Sequence, residues 1–158
     1  MTTENADSQP LAAWSTLVSV YQAVLHDVVG TLGEQAGIDS GVFSALAYLE
    51  RADPPHRLAM SELQRLLHPR YSQPGLSRLV QRMEADGLVE RRRDPVDGRA
   101  AVLVSTRAGR RAYQRANAVY TAAVQEHFGR HLSARDAALL ADALNGVAQR
   151  RGTPPARP

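Results

Sequence analysis

Residues 60–109 read MSELQRLLHPRYSQPGLSRLVQRMEADGLVERRRDPVDGRAAVLVSTRAG. The stretch predicts a short helix, a turn and a second helix closed by Gly87. Ser61 and Gln64 have the spacing of a capping box for the first helix, which runs through Leu67 to a stop at Pro69. Ser72 is a good N-cap for the second, because Pro74 is tolerated in a first turn. Leu76, Leu79, Val80 and Met83 recur at core spacing behind it, and Gly87 supplies a C-terminal glycine. Leu88 to Arg93 and Arg99 to Ser105 are strand candidates, joined by the turn chemistry of Asp94-Pro95-Val96-Asp97-Gly98. A helix with a polar, Arg-bearing N-terminal half, set beside an Arg-studded hairpin, offers one probe for each groove of DNA.

Charge points to the same polyanion. Between Arg65 and Arg115 there are twelve Arg and five acids. The first 64 residues hold two Arg and eight acids, and the last 43 hold five Arg and three acids. The formal total of +3 conceals that asymmetry. A basic block inside an acidic or neutral chain is the footprint of a polyanion partner, against the plainer reading of a solvated charged face.

Two absences exclude whole classes of chemistry. With no cysteine there is no thiol sensor, Cys nucleophile, disulfide or Cys-rich zinc site. With no lysine there is no phosphate-loop lysine, Schiff base or lysine general base. Arg alone still suits bidentate contacts to phosphate and guanine. His127 and His131 stand at i,i+4, but Gly129 lies between them and no third ligand is nearby, so neither metal nor cofactor is expected. No nucleophile elbow or phosphate loop is present, so an enzyme is not expected either.

Outside the central stretch the chain reads as helix. Residues 1–8 are polar and expected to fray. Trp14, Leu17, Val18, Tyr21, Val24, Leu25, Val28 and Leu32 form one stripe at helical spacing, ended by Gly33 and Gly37. A stripe of that length suits packing against another chain. Asp39 or Ser40 caps the next helix, with Val42, Phe43, Leu46, Ala47 and Leu49 inward, and Asp53-Pro54-Pro55 breaks it. Arg57 to Met60 allows a stub of strand. Thr106 caps a long helix toward Phe128, with Tyr113, Ala116, Tyr120 and Val124 on one side. Ser133 and Asp136 open the last helix, which carries Leu140, Leu144 and Val147. The Pro-rich tail, residues 151–158, is expected to be disordered. At 158 residues and 44% hydrophobic the prior is one domain. No transmembrane run or signal segment is evident, so the cytoplasm is the default and no membrane partner is expected.

The order helix-helix-stub-helix-helix-strand-wing-strand-helix-helix resembles the MarR family of winged-helix transcriptional regulators. Ser77 to Arg91 (SRLVQRMEADGLVER), Asp97-Gly98-Arg99 and Thr106-Arg107-Ala108-Gly109 carry the resemblance, over the middle third of the chain. Two departures stand out: the turn HPRYSQPG is slightly long, and Ser105 stands where the family usually has Leu. The fold implied is mainly α (α+β). A winged helix-turn-helix lobe would span 38–105, with long terminal helices, 10–36 and 106–150, forming an intertwined dimer base. The function implied is a homodimeric, sequence-specific DNA-binding regulator on a near-palindromic operator in double-stranded DNA. It would be a repressor released by a small anionic or aromatic effector. A winged-helix protein-interaction module, or a regulator with no small-molecule ligand, is the alternative.

Residues can be set against these roles. Ser72, Gln73, Gly75, Ser77, Arg78 and Arg82 occupy the exposed half of the recognition helix, Arg82 having an ion pair with Asp86 at i+4 as its plainer reading. Arg91, Arg92 and Arg93 alternate sides on a strand, and Arg91 and Arg93 are favoured. Arg99, oriented by Asp97, is the wing-tip probe of the minor groove. Trp14, Tyr21, His26, Tyr48 and Arg51 are candidates for an effector pocket, each with ordinary core or surface as the plainer reading.

Overall fold

The computed structural model describes residues 4–52, 56–93 and 101–152. Helix α1 spans Glu4–Ala36, α2 Ser40–Arg51, α3 Met60–Leu67, α4 Gln73–Ala85, α5 Arg107–His127 and α6 Ala134–Arg150. Strand β1 is Arg57–Ala59, β2 Val89–Arg93 and β3 Ala101–Ser105, and Gly129–His131 forms a single 3₁₀ turn. The antiparallel sheet has the order β1-β3-β2, with Leu58 opposite Leu103 and Arg91 opposite Leu103 from the other side. The chain divides into two compact units. One runs from His26 to Thr121; the other joins the N-terminal part of α1, to Leu25, with the chain from Ala122 onward.

The His26–Thr121 unit is the winged-helix lobe. Its core gathers Val42, Ala45, Leu46 and Leu49 from α2, Leu63 and Leu67 from α3, and Leu76, Leu79, Val80 and Met83 from α4. Val89 and Leu103 close it from the sheet. A smaller cluster forms around Leu32, Phe43 and Ala116, where the Phe43 ring stacks on Tyr113 at 5.9 Å and meets Tyr120 at 4.9 Å. Burying this many aliphatic side chains, each contributing about 1.5–3 kcal/mol, fixes the helices that carry the site.

Chain ends and caps follow local chemistry, with three corrections. α1 starts at Glu4 and runs through Pro10, although residues 1–8 were expected to fray. Residues 4–9 hold no glycine or β-branched residue to stop a helix, and polarity alone does not stop one. Gly33 lies inside α1, and the terminating glycine is Gly37, at φ +68°. α3 starts at Met60 with Ala59 as N-cap and no side-chain cap, so Ser61 and Gln64 form no capping box. The strand β1 runs directly into the helix and leaves Ser61 inside its first turn. Gln64 instead donates from Nε2 to the Tyr71 carbonyl at 2.9 Å, pinning the turn before α4.

Other caps match their sequence signals. Asp39 caps α2, Ser72 accepts from the Gly75 N–H at 3.3 Å, and Thr106 accepts from the Gly109 N–H at 2.9 Å. Ser133 accepts from the Asp136 N–H at 3.1 Å. After α4, Gly87 at φ +67° allows Leu88 N–H to reach the Met83 carbonyl and Gly87 N–H the Glu84 carbonyl. That is the pair of bonds a left-handed glycine makes possible at a helix end.

In the other unit the stripe of α1 is open. Leu11, Trp14 and Tyr21 are 66%, 62% and 60% exposed. Leu139, Leu144 and Val147 of α6 are exposed too, while Leu140 is half-buried. No helix among the described residues is long and apolar enough to cross a membrane. The expected break at Asp53-Pro54-Pro55, the wing turn from Asp94 through Arg99, and residues 153–158 of the tail lie outside the described residues.

Candidate nucleic-acid interface

Helix α4 shows its chemistry by its angular order. At about 100° per residue, Leu76, Leu79, Val80 and Met83 share one side, and all four are buried. Pro74, Arg78, Gln81 and Ala85 fall on the opposite side and are exposed. This outer ridge faces away from the core along the whole helix. Arg78 and Gln81 are its two long polar side chains, a guanidinium and an amide, the groups that pair bidentately with guanine and adenine edges.

Each flank of the ridge is tied to a neighbouring element. On one side Arg82 pairs with Asp39, the residue that caps α2. On the other side Glu84 pairs with Arg91 of β2 at 3.3 Å. Arg82 therefore has an ion-pair partner, but not the Asp86 expected at i+4. Asp86 is the C-cap of α4, where the helix ends, whereas Arg82 points along the flank that meets the start of α2.

Gly75, Arg78, Leu79 and Arg82 of α4, with Asp39, Ser40 and Tyr71, line a depression of about 330 Å³. Arg70 reaches into the same region and donates to the Ser40 hydroxyl at 2.7 Å. The Tyr71 hydroxyl lies over Gly41, so any side chain at Gly41 would collide with it. Gly41 thus leaves room for the Tyr71 hydroxyl, and a Cβ there would force the Tyr71 side chain to shift.

The strand side obeys alternation. Arg91 lies on the α4 side of β2, and Arg93, two residues on, shares that side. Arg92 turns the other way and donates to Glu90 at 2.6 Å. At the edge of the lobe, Arg65 donates twice to Glu62, at 2.9 and 2.6 Å, and this holds the Glu62 carboxyl below its ordinary range.

The sequence-predicted residues are thus distributed as follows. Ser72 and Gln73 open α4 and are exposed, and Ser77 is half-buried on the Glu84 flank. Gly75, Arg78 and Arg82 come together around the depression. Asp97 and Arg99 lie outside the described residues. Of the effector-pocket candidates, Trp14 and Tyr21 belong to one unit and His26, Tyr48 and Arg51 to the other. His26 and Arg51 are exposed, Tyr48 is half-buried, and none of the five lines the depression beside α4. Sequence reasoning missed Gln81, Asp39 and Arg70. Gln81 was within reach, because positions 74, 78, 81 and 85 have the i, i+4, i+7 spacing of a helix face. Among the described residues no three metal-ligating side chains lie together.

The lobe can now be placed among known proteins. A family model described as MarR family matches residues 29–100. Over that stretch the chain is similar to the MarR family. AbsC, a MarR family transcriptional regulator from Streptomyces coelicolor, is 26% identical, with 90% of this chain and 95% of that one covered at a TM-score of 0.76. Sco3205, a MarR family regulator from the same organism solved in complex with DNA, is 22% identical, with coverage of 90% and 87% and a TM-score of 0.76. BldR, a transcriptional regulator from Sulfolobus solfataricus, is 23% identical, with coverage of 95% and 99% and a TM-score of 0.73. No curated protein sequence matches the chain. Over its winged-helix lobe the chain is thus similar to transcriptional regulators of the MarR family.

Proposed function

We propose that the protein is a homodimeric, sequence-specific regulator of the MarR family that lays α4 into the DNA major groove. The outer ridge of α4 carries this reading. Arg78 and Gln81 are exposed there, opposite a fully buried apolar side, and no partner among the described residues occupies either. Ser72, Gln73 and Ser77 flank the ridge toward phosphates and base edges. Arg91 and Arg93 extend the cationic edge along β2, and the wing carries Asp97 and Arg99 toward the minor groove. Sco3205, similar in fold, was solved with DNA.

Dimerisation is supported by apolar surface. Leu11, Trp14, Leu17, Val20 and Tyr21 of α1 are all exposed, as are Leu139, Leu144 and Val147 of α6. Contiguous apolar exposure of this kind marks an interaction surface. A twofold pair of lobes reads a near-palindromic operator. Repression released by a small anionic or aromatic effector completes the reading. An effector that favours a lobe spacing unsuited to the operator must lower DNA affinity, and by reciprocity DNA lowers effector affinity.

Footprinting on DNA upstream of the protein's own gene tests the reading, with a salt titration of the bound duplex. A protected, twofold-symmetric site and a steep loss of affinity with salt are expected. Absence of duplex binding at low salt would instead favour a protein-interaction module.

A further inference from the structure

Asp39 is placed to act on two elements at once. One carboxylate oxygen, Oδ1, accepts from the Gly41 and Val42 N–H groups at 2.8 and 2.9 Å and so caps α2. The other, Oδ2, accepts from Nη2 of Arg82, 43 residues away on α4. The cap fixes the carboxylate, so Arg82 meets an already oriented acceptor. Arg78, one turn earlier and beside the same depression, has no carboxylate partner among the described residues. Two arginines on the DNA-reading helix are therefore electrostatically unlike: one offers its charge, and the other has it neutralised.

We propose that Asp39 is a specificity-determining residue, a latch that withholds Arg82 from DNA phosphates. The proposal rests on the reading of α4 as the DNA-contacting helix. Phosphate contacts raise affinity for every duplex alike, whereas discrimination comes from base edges. Tying Arg82 to Asp39 removes one sequence-independent cation per lobe and leaves Arg78 and Gln81 to discriminate. An exposed ion pair is weak, so the latch lowers random binding without locking the helix. Both partners are about half exposed, at 54% and 49%.

Asp39→Asn isolates the charge, because Asn caps a helix as well as Asp does. Asp39→Ser, also a good cap, serves as a second variant should the first fold poorly. Affinity for an operator and for a random duplex of equal length is measured across a salt series. The proteins compared are wild type, the Asp39 variants, Arg82→Gln and the double variant. With Asp39 neutralised, random-duplex affinity should rise about three- to tenfold, the salt slope should steepen by about 0.9 per engaged lobe, and the operator-to-random ratio should fall. Arg82→Gln alone should leave random-duplex affinity nearly unchanged, and the double variant should return to the wild-type slope. An unchanged slope for Asp39→Asn, or weaker random binding, overturns the latch. A gain that persists in the double variant also overturns it, since Asp39's own charge would then account for the effect. If the wild type binds no duplex at low salt, the DNA reading fails and the latch with it.

Discussion

Replacing Ser105 with Ala should make the protein more stable. Ser105 ends β3 at 2% exposure, and its hydroxyl oxygen is fully buried with no hydrogen-bond partner among the described residues. Its backbone is fully used: the N–H donates to the His56 carbonyl at 3.4 Å, and the carbonyl accepts from Arg110 Nη1 at 2.8 Å. None of those bonds involves the hydroxyl, so all survive the change. A buried polar group without a partner costs about 1–3 kcal/mol in lost hydration. Against this, deleting one oxygen leaves a void smaller than a methyl group and forfeits a few dispersion contacts, each about 0.1–0.2 kcal/mol. The net expectation is a gain of about 1 kcal/mol, or about 2–4 °C in Tm for a chain of this size. Urea unfolding at one fixed protein concentration is the assay, so that any self-association weighs equally on both proteins. The midpoint should rise with an unchanged m value. A lower midpoint would refute the reasoning and show that the hydroxyl is satisfied, for instance by an ordered water.

Three further outcomes can be checked. Arg78→Ala should cost about 1–3 kcal/mol of discrimination at one operator position, whereas Arg91→Ala should weaken all duplexes alike; equal losses for Arg78→Ala on operator and random DNA would displace Arg78 from the base edges. Gly109→Ala should destabilise by about 1–3 kcal/mol in a thermal melt, because the added Cβ would overlap the Leu88 carbonyl, and a wild-type melt would contradict that close approach. Leu144→Arg should shift sedimentation from dimer to monomer by placing charges in the apolar interface, and a monomeric wild type would remove the basis of this expectation.

What the sequence made legible was local. The caps made by Ser72 and Ser133, and the helix end at Gly87, act within five residues, so their geometry follows from short-range chemistry, whereas Thr106 also donates its hydroxyl to the distant Gly87 carbonyl. The inward side of α4 was equally legible, because four aliphatic residues at helical spacing have one way to be buried together. The ion pairs of the ridge were not. Asp39 and Arg82 meet only because α2 and α4 pack in the same core, and a helix-spacing rule offers Asp86 in its place. Gln64 shows the same limit: Ser61 three residues before it suggests a cap, but the acceptor it finds is the Tyr71 carbonyl across the turn.

Paired charges lower the number of cations that a single lobe offers to DNA phosphates. From α3 to β2, Arg65, Arg82, Arg91 and Arg92 all have carboxylate partners. Arg70, Arg78 and Arg93 have none among the described residues. Each phosphate neutralised contributes about 0.9 to the salt slope, so the number of cations left free to meet phosphates sets the slope of a lobe. Two lobes on one duplex double that count and convert the second contact into an intramolecular event at high effective concentration. In the proposed homodimer the exposed stripes of α1 and α6 join them. On the proposed dimer reading, one lobe alone would hold DNA less firmly than two, and pairing would raise affinity where two half-sites have the right spacing. A monomerised Leu144→Arg chain should accordingly retain about half the wild-type salt slope while losing most of its preference for the operator.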